Sequence, residues 1–242
     1  SPLSGMVDSA MIIRILLKLG YSQDTAQTAY SLLRTNVTTL VNMPGVLTMA
    51  LAMSLVPAIS SAIARRDKDS VMSISCLGLK LALIIGLPCA VGLFVLARPI
   101  LAMLYPVLTD AQLTLAADLM HTASIGVVFL SLVQSMTGVI QGLGKPNVPL
   151  FNLFIGFLLK VVSLLILMNI PSINIQGASV STVICYAFAG LADTVYALRR
   201  ARIELNLWDV VLKPLISSLA MGAMVYMCHD FVARMGHETI AV

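Results

Sequence analysis

The sequence predicts an all-α protein, a polytopic bundle of about seven transmembrane helices. Three observations predict it. The 242 residues are 59% hydrophobic and only 11% charged, where a soluble domain is about a quarter charged. The mean hydropathy is +0.96. The apolar residues also gather into runs of about 20, the length a helix needs to cross the hydrocarbon of a bilayer.

The runs fall at 3–19, 38–63, 72–97, 113–141, 148–169, 176–198 and 212–233. Pro44 and Pro57 lie in the second and Pro88 in the third, where proline is expected to kink or break a helix. Between the fourth and fifth runs stands QGLGKPN, residues 141–147. A phosphate-cradling loop needs a glycine five residues before Gly144 and a hydroxyl after Lys145. Val139 and Pro146 stand there instead, and both flanks read as helix. The stretch is a turn, with Gly142 and Gly144 ending one helix and Pro146 helping to start the next. The segment 199–213, RRARIELNLWDVVLK, mixes charge with large apolar residues. It reads either as an interfacial stretch with Trp208 at headgroup depth or as an ordinary helix connection.

Orientation follows from the basic residues. Arg65, Arg66, Lys68, Lys145, Arg199, Arg200, Arg202 and Lys213 fall on one side, against Lys18, Arg34, Arg98 and Arg234 on the other. The first run then starts in the cytoplasm. The net charge of +4 therefore reflects topology and does not indicate nucleic acid. Cys76, Cys89, Cys185 and Cys228 are far apart and form no C-x-x-C pair, so neither a metal site nor a disulfide framework is expected. No secretory leader is visible. Ser1 in place of methionine, the odd number of runs and the tail HETIAV (237–242) lead us to expect a piece of a larger protein.

Five ionisable residues lie inside the runs: Asp8, Arg14, Lys80, Lys160 and Asp193. Such groups are costly in lipid and normally face a cavity or a partner. At 1.5 Å per residue, Arg14, Lys80 and Lys160 lie roughly 16, 12 and 18 Å from the cytoplasmic starts of their runs, near mid-bilayer. Asp8 and Asp193 lie roughly 8 Å in. Asp8 and Arg14 are six residues apart and point to different faces, so they do not neutralise each other locally. An excess of cation suits an anionic group such as phosphate or pyrophosphate. Competing roles are snorkelling of the two lysines and pairing of Asp193 with Arg14 or Lys80. Asn42, Ser54, Gln134, Gln141 and Asn152 are read as helix-to-helix hydrogen bonders. His121 is read as interfacial, and the 14 methionines as packing.

LVNMPGVLTMALAMSLVPAISSAIARRD (40–67) resembles a signature helix of polysaccharide-exporting flippases. These belong to the multidrug/oligosaccharidyl-lipid/polysaccharide exporter superfamily, and the stage V sporulation protein B group is the most similar branch. PLSGMVDSAMIIRILLKLG (2–20), IQGLGKPNVPLFNLFIGFLLK (140–160) and INIQGASVSTVICYA (173–187) resemble further stretches of that group in the same order. Ser31, where glycine is common, and Ser181 before Thr182, where a Gly-Thr pair is common, depart from its pattern.

The resemblance implies twelve to fourteen spans in two lobes. Residues 1–200 would be the C-terminal six-helix lobe, and 201–242 an interfacial segment plus one additional helix. An N-terminal lobe would complete the protein. It further implies a flippase of the bacterial cytoplasmic membrane. Such a protein moves an undecaprenyl-pyrophosphate-linked oligosaccharide or peptidoglycan precursor by alternating access, in cell-wall or sporulation-linked polysaccharide synthesis. The substrate headgroup would meet Arg14, Lys80, Lys160, Asp8 and Asp193. No nucleophile–base pair, metal spacing or nucleotide loop stands in the sequence, so an enzyme, a cofactor and a nucleic-acid partner are not expected. The alternative is a multidrug or cation antiporter of the same superfamily, which needs acidic residues in its cavity. A non-transporting scaffold is a third reading, and the intramembrane charges argue against it.

Overall fold

A computed structural model describes residues 2–18, 20, 22–170, 175–201 and 206–235, with the side chains of 2–8, 10, 229, 230 and 232–235 left aside. The described residues are helical apart from short turns. The elements are α1 (Pro2–Lys18), α2 (Gln23–Ser31), α3 (Thr38–Ala64), α4 (Lys68–Val95), α5 (Ala97–Leu104), α6 (Asp110–Gly142), α7 (Asn147–Met168), α8 (Gln176–Ala201) and α9 (Lys213–Met235). π-helical turns at Leu32–Val37 and Trp208–Leu212 lead into α3 and α9.

Six described helices are long and apolar enough to cross a membrane, and α1, with 17 residues, is just short of that length. The expected run at 38–63 is only part of its helix, because α2, the π turn and α3 continue as one 42-residue rod, Gln23–Ala64. Arg34, expected in an outer loop, stands inside that rod. Pro44 and Pro57 do not interrupt α3, nor Pro88 α4. A lost backbone hydrogen bond is tolerated in a membrane helix when neighbouring helices cover it, and Pro44 is buried.

Helix α6 is the axis, with α3, α4 and α8 packed around it, α7 outside α8 and α9 outside α4. Small residues permit this closeness. A Cβ at Gly138 of α6 would lie 2.6 Å from the Ala52 carbonyl oxygen of α3, and one at Gly156 of α7 would lie 2.9 Å from that of Cys185 on α8. Polar groups inside the bundle close on helix backbones. The Ser135 hydroxyl donates to the Gly78 carbonyl at 2.8 Å, and the Thr48 hydroxyl meets Gln134 of α6. In the orientation that the basic residues predict, the core has a cytoplasmic-half cluster around Ile59, Met136, Val139 and Ile140 and an outer-half cluster around Leu101, Leu119, Met120, Leu164 and Met168. Exposed faces are apolar, as at Val46, Leu150, Phe151 and Ile166, which is the surface a bilayer covers.

Helix ends obey local chemistry. α6 stops at Gly142 and Gly144 takes φ +76°, with Pro146 at the N-cap of α7. α6 starts with a capping box between Thr109 and Gln112, and α4 with the Asp67 carboxylate on Ser70. The Ser70 hydroxyl and backbone N–H hold the Asp67 carboxyl below the usual carboxylate range.

Candidate functional site

The polar residues of the rod Gln23–Ala64 fall in a stripe: Tyr30, Arg34, Thr38 and Asn42, one turn apart. The π turn at Leu32–Val37 sits inside this stripe, and such turns recur at functional sites. The Leu33 carbonyl accepts twice from Thr38, from its backbone N–H across the wider turn and from its hydroxyl at 2.7 Å.

The stripe faces a cavity of about 140 Å³, whose opposite walls bring Lys160 from α7 and Ser179, Thr182 and Tyr186 from α8. Gly126 of α6 forms part of the wall, and a Cβ there would lie 3.3 Å from Val183. Ser179 is 2% exposed and its hydroxyl has no hydrogen-bond partner. Two cations, two phenols and several hydroxyls thus line one cavity between the rod, α7 and α8. A cluster of this composition holds anionic oxygens through charge-assisted hydrogen bonds. Its volume lies below the roughly 300–1,000 Å³ of a pocket for a drug-sized ligand. It therefore accommodates an ionic group, not a large head.

The other expected residues go elsewhere. Arg14 is exposed on the face of α1 opposite Ile12, which lines the cavity. The Asp8 side chain lies outside the described residues. Lys80 lines a groove of about 400 Å³ between α4 and α9, with Asp209, Lys213, Ser217 and Pro214. The two helices run in parallel with Gly222 against Val91, so Lys80 stands level with the first turn of α9. In the orientation that the basic residues predict, this turn is the cytoplasmic start of the last run, so Lys80 is shallower than a count along its own run suggested. Counting along one run missed this because α4 begins several turns below α9. Lys213 is ion-paired with Asp209.

Asp193 is buried, with none of its surface exposed, between α7 and α8. It pairs with neither Arg14 nor Lys80. The Asn152 amide donates to its Oδ1 at 2.7 Å, and Oδ2 has no partner. The packing explains the difference, since α7 and α8 run antiparallel with Gly156 against Cys185, which puts position 152 opposite 193. His121 stacks near the outer end of α4, its ring centroid 4.9 Å from that of Phe94. The four cysteines are free. Among the described residues no group of three or more metal-ligating side chains occurs.

Two things escaped the sequence reading: the role of Arg34 and the tyrosines beside it. The four-residue spacing of Tyr30, Arg34, Thr38 and Asn42 was the available signal.

A family model described as lipid II flippase MurJ matches residues 7–239. The chain belongs to the MurJ lipid II flippase family. The MurJ family consists of transporters, not enzymes. A solved lipid II flippase MurJ in an inward closed conformation is similar in fold, with a TM-score of 0.56 and 20% identity over 85% of this chain and 46% of that one. An uncharacterized membrane protein, YabM of Bacillus subtilis (strain 168), is 29% identical over 185 residues, 76% of this chain and 33% of YabM. The chain thus spans about a third of the curated relative and under half of the solved MurJ chain. The MurJ match and the described helices make it a multi-pass membrane protein of the flippase superfamily.

Proposed function

We propose that the whole protein moves a polyprenyl-pyrophosphate-linked sugar, a cell-wall precursor, across the bacterial cytoplasmic membrane. This chain supplies the C-terminal lobe of residues 1–200 and the additional helix of 201–242. An N-terminal lobe completes the passage, and the two lobes rock between inward-open and outward-open states. The observation that carries the reading is the convergence of Arg34 and Lys160 on one polar cavity in a chain of the MurJ family. A pyrophosphate cannot enter hydrocarbon bare, and cations in a low-dielectric wall offset the loss of its hydration.

The cavity takes a charged group of the substrate, while the sugar occupies the space between lobes. Arg14, exposed on α1, faces that space in this reading, with Asp8 as a balancing charge on the same helix. Lys80 meets the headgroup at the cytoplasmic interface. We assign the chain to the polysaccharide-exporting, stage V sporulation protein B-like branch on the stretches 40–67 and 140–160. A drug antiporter is disfavoured, because the groups gathered at the cavity are cations and not carboxylates.

The test uses the full-length protein and native mass spectrometry. It compares an undecaprenyl-pyrophosphate sugar with a cationic dye in the parent, Arg14→Ala and Lys160→Ala. Lipid binding that weakens in both variants supports the reading. Dye binding without lipid binding sinks it.

A further inference from the structure

The Asp193–Asn152 pair is used by none of the above. It lies on the cytoplasmic side of the bundle, eight residues before the end of α8 at Ala201 and five after the start of α7 at Asn147. At 1.5 Å per residue those are depths of about 12 and 8 Å. The pair does not line the polar cavity of the outer half, and Asp193 is fully buried. This burial is complete within the described lobe, so it does not depend on any other part of the protein.

A carboxylate in such a place would need compensation at both oxygens. Oδ1 has it from Asn152 at 2.7 Å, and Oδ2 has none. Among the described residues, no cation of the surrounding helices stands against Oδ2. On α6, residues 122–142 carry no titratable side chain, and α7 offers only Lys160, two turns farther out and at the cavity. On α8 the charges are Arg199 and Arg200, both exposed in the last turn, with Tyr196 half-buried. On α4, Lys80 faces the α9 groove and Cys76 is half-buried. An isolated carboxylate in a medium of low dielectric costs several kcal/mol even after relaxation. A neutral acid avoids that cost. The Asn152 donor marks Oδ1 as its carbonyl oxygen and leaves Oδ2 to carry the proton.

We propose that Asp193 and Asn152 form a sealed proton-binding site, whose proton exchanges with the cytoplasm only when α7 and α8 part. On parting, the proton passes from Oδ2 to an entering water, and the carboxylate left behind is hydrated by the same opening. Return of the proton allows the helices to close. Proton occupancy and the packing of α7 on α8 are then linked, and proton release reports opening of the lobe on that side.

The test is infrared spectroscopy of the full-length protein in lipid vesicles near neutral pH. The parent should show a protonated carboxylic C=O band that Asp193→Asn loses, and the band should shift only slowly on transfer to heavy water. A second measurement follows the midpoint of thermal unfolding against pH. It should fall with rising pH in the parent and lose that fall in Asp193→Asn, which is neutral at every pH and keeps the acceptor for Asn152. Spectra of parent and variant that coincide, or a band that shifts as soon as heavy water is added, would overturn the proposal. Neither measurement uses a transport substrate, so its outcome is separate from that of the flippase reading.

Discussion

The outer half and the cytoplasmic half of the lobe share their long helices but are held by different means. In the cytoplasmic half, glycines of α6 and α4 admit α3 to close contact: Gly138 against the Ala52 backbone, Gly142 and Gly78 against the side chains of Ile59 and Leu55. The core there is a close cluster of Leu, Ile, Val and Met. In the outer half a π turn widens the rod Gln23–Ala64, and a polar cavity opens between it, α7 and α8. The same bundle therefore separates mechanical rigidity from polar access along the membrane normal. The proposed flippase cycle uses both, since in that reading the lobe moves as one body while exposing charge to the substrate.

The sharpest way to break this contrast is one substitution made in both environments. Gly138→Ala drives a Cβ to 2.6 Å from the Ala52 carbonyl oxygen, so α3 and α6 must separate. We expect a loss of about 3 kcal/mol, read as a lower midpoint of thermal unfolding of the full-length protein in detergent. Gly92→Ala, near the outer end of α4, meets nothing within 4 Å. There the same change should be neutral or stabilise by up to about 1 kcal/mol, since glycine is the poorer helix former. Equal losses at both sites would abolish the distinction.

Next in size is the chemistry of the cavity. Arg34→Ala and Lys160→Ala should each weaken binding of the pyrophosphate-linked lipid about tenfold or more, as removal of a charged hydrogen bond implies. Arg98→Ala serves as control. Its exposed ion pair with Asp110, at 4.0 Å, lies on the outer rim, and its loss should leave binding unchanged. Equal effects of all three would mean that net charge, not the cavity, attracts the ligand.

Smaller still is Ser179→Ala. The buried hydroxyl has no partner in the lobe, so its removal should be neutral or stabilise by about 1 kcal/mol. A loss of stability would show that the hydroxyl is satisfied by a bound water or ion in the cavity.

Most of the bundle was legible in the sequence because the bilayer imposes a strong rule on composition and length. The turn at Gly142–Pro146 was legible because glycine and proline there have specific backbone roles. What stayed hidden depends on how helices face one another. Arg34 looked like a loop residue because residues 20–37 are polar on average, and only their helical stripe reveals a wall of a cavity. Lys80 looked central because its depth was counted along its own helix, without the offset of α9. Asp193 looked like one half of an ion pair because no property of α8 alone announces that Asn152 stands opposite. Hydropathy reports contact with lipid, and it is silent on the pairing of inner faces.

The two ends of the bundle also differ in how helices are capped, and pH can separate them. At the outer end α6 starts on Thr109, whose hydroxyl accepts from the Gln112 N–H, while the Gln112 side chain accepts from the Thr109 N–H. Neither group titrates. At the cytoplasmic end α4 starts on Asp67, which accepts from the Ser70 N–H at 3.0 Å and from the Ser70 hydroxyl at 2.6 Å. These bonds favour the ionised form and lower its pKa. A depressed folded pKa means that the cap contributes fully above the unfolded carboxyl pKa and is lost as pH falls through the folded one. Acidification below about pH 4 should therefore speed hydrogen exchange in the first turn of α4 by more than in the first turn of α6, where the cap itself does not titrate and only the exposed Asp110 does. Asp67→Asn keeps an acceptor for the Ser70 N–H and cannot titrate, so in that variant both ends should respond to acid alike. Acid-induced fraying of α4 that persisted in Asp67→Asn would place its cause elsewhere, in the neighbouring Asp69 or in the cytoplasmic hollow lined by Arg66, Lys68 and Arg200.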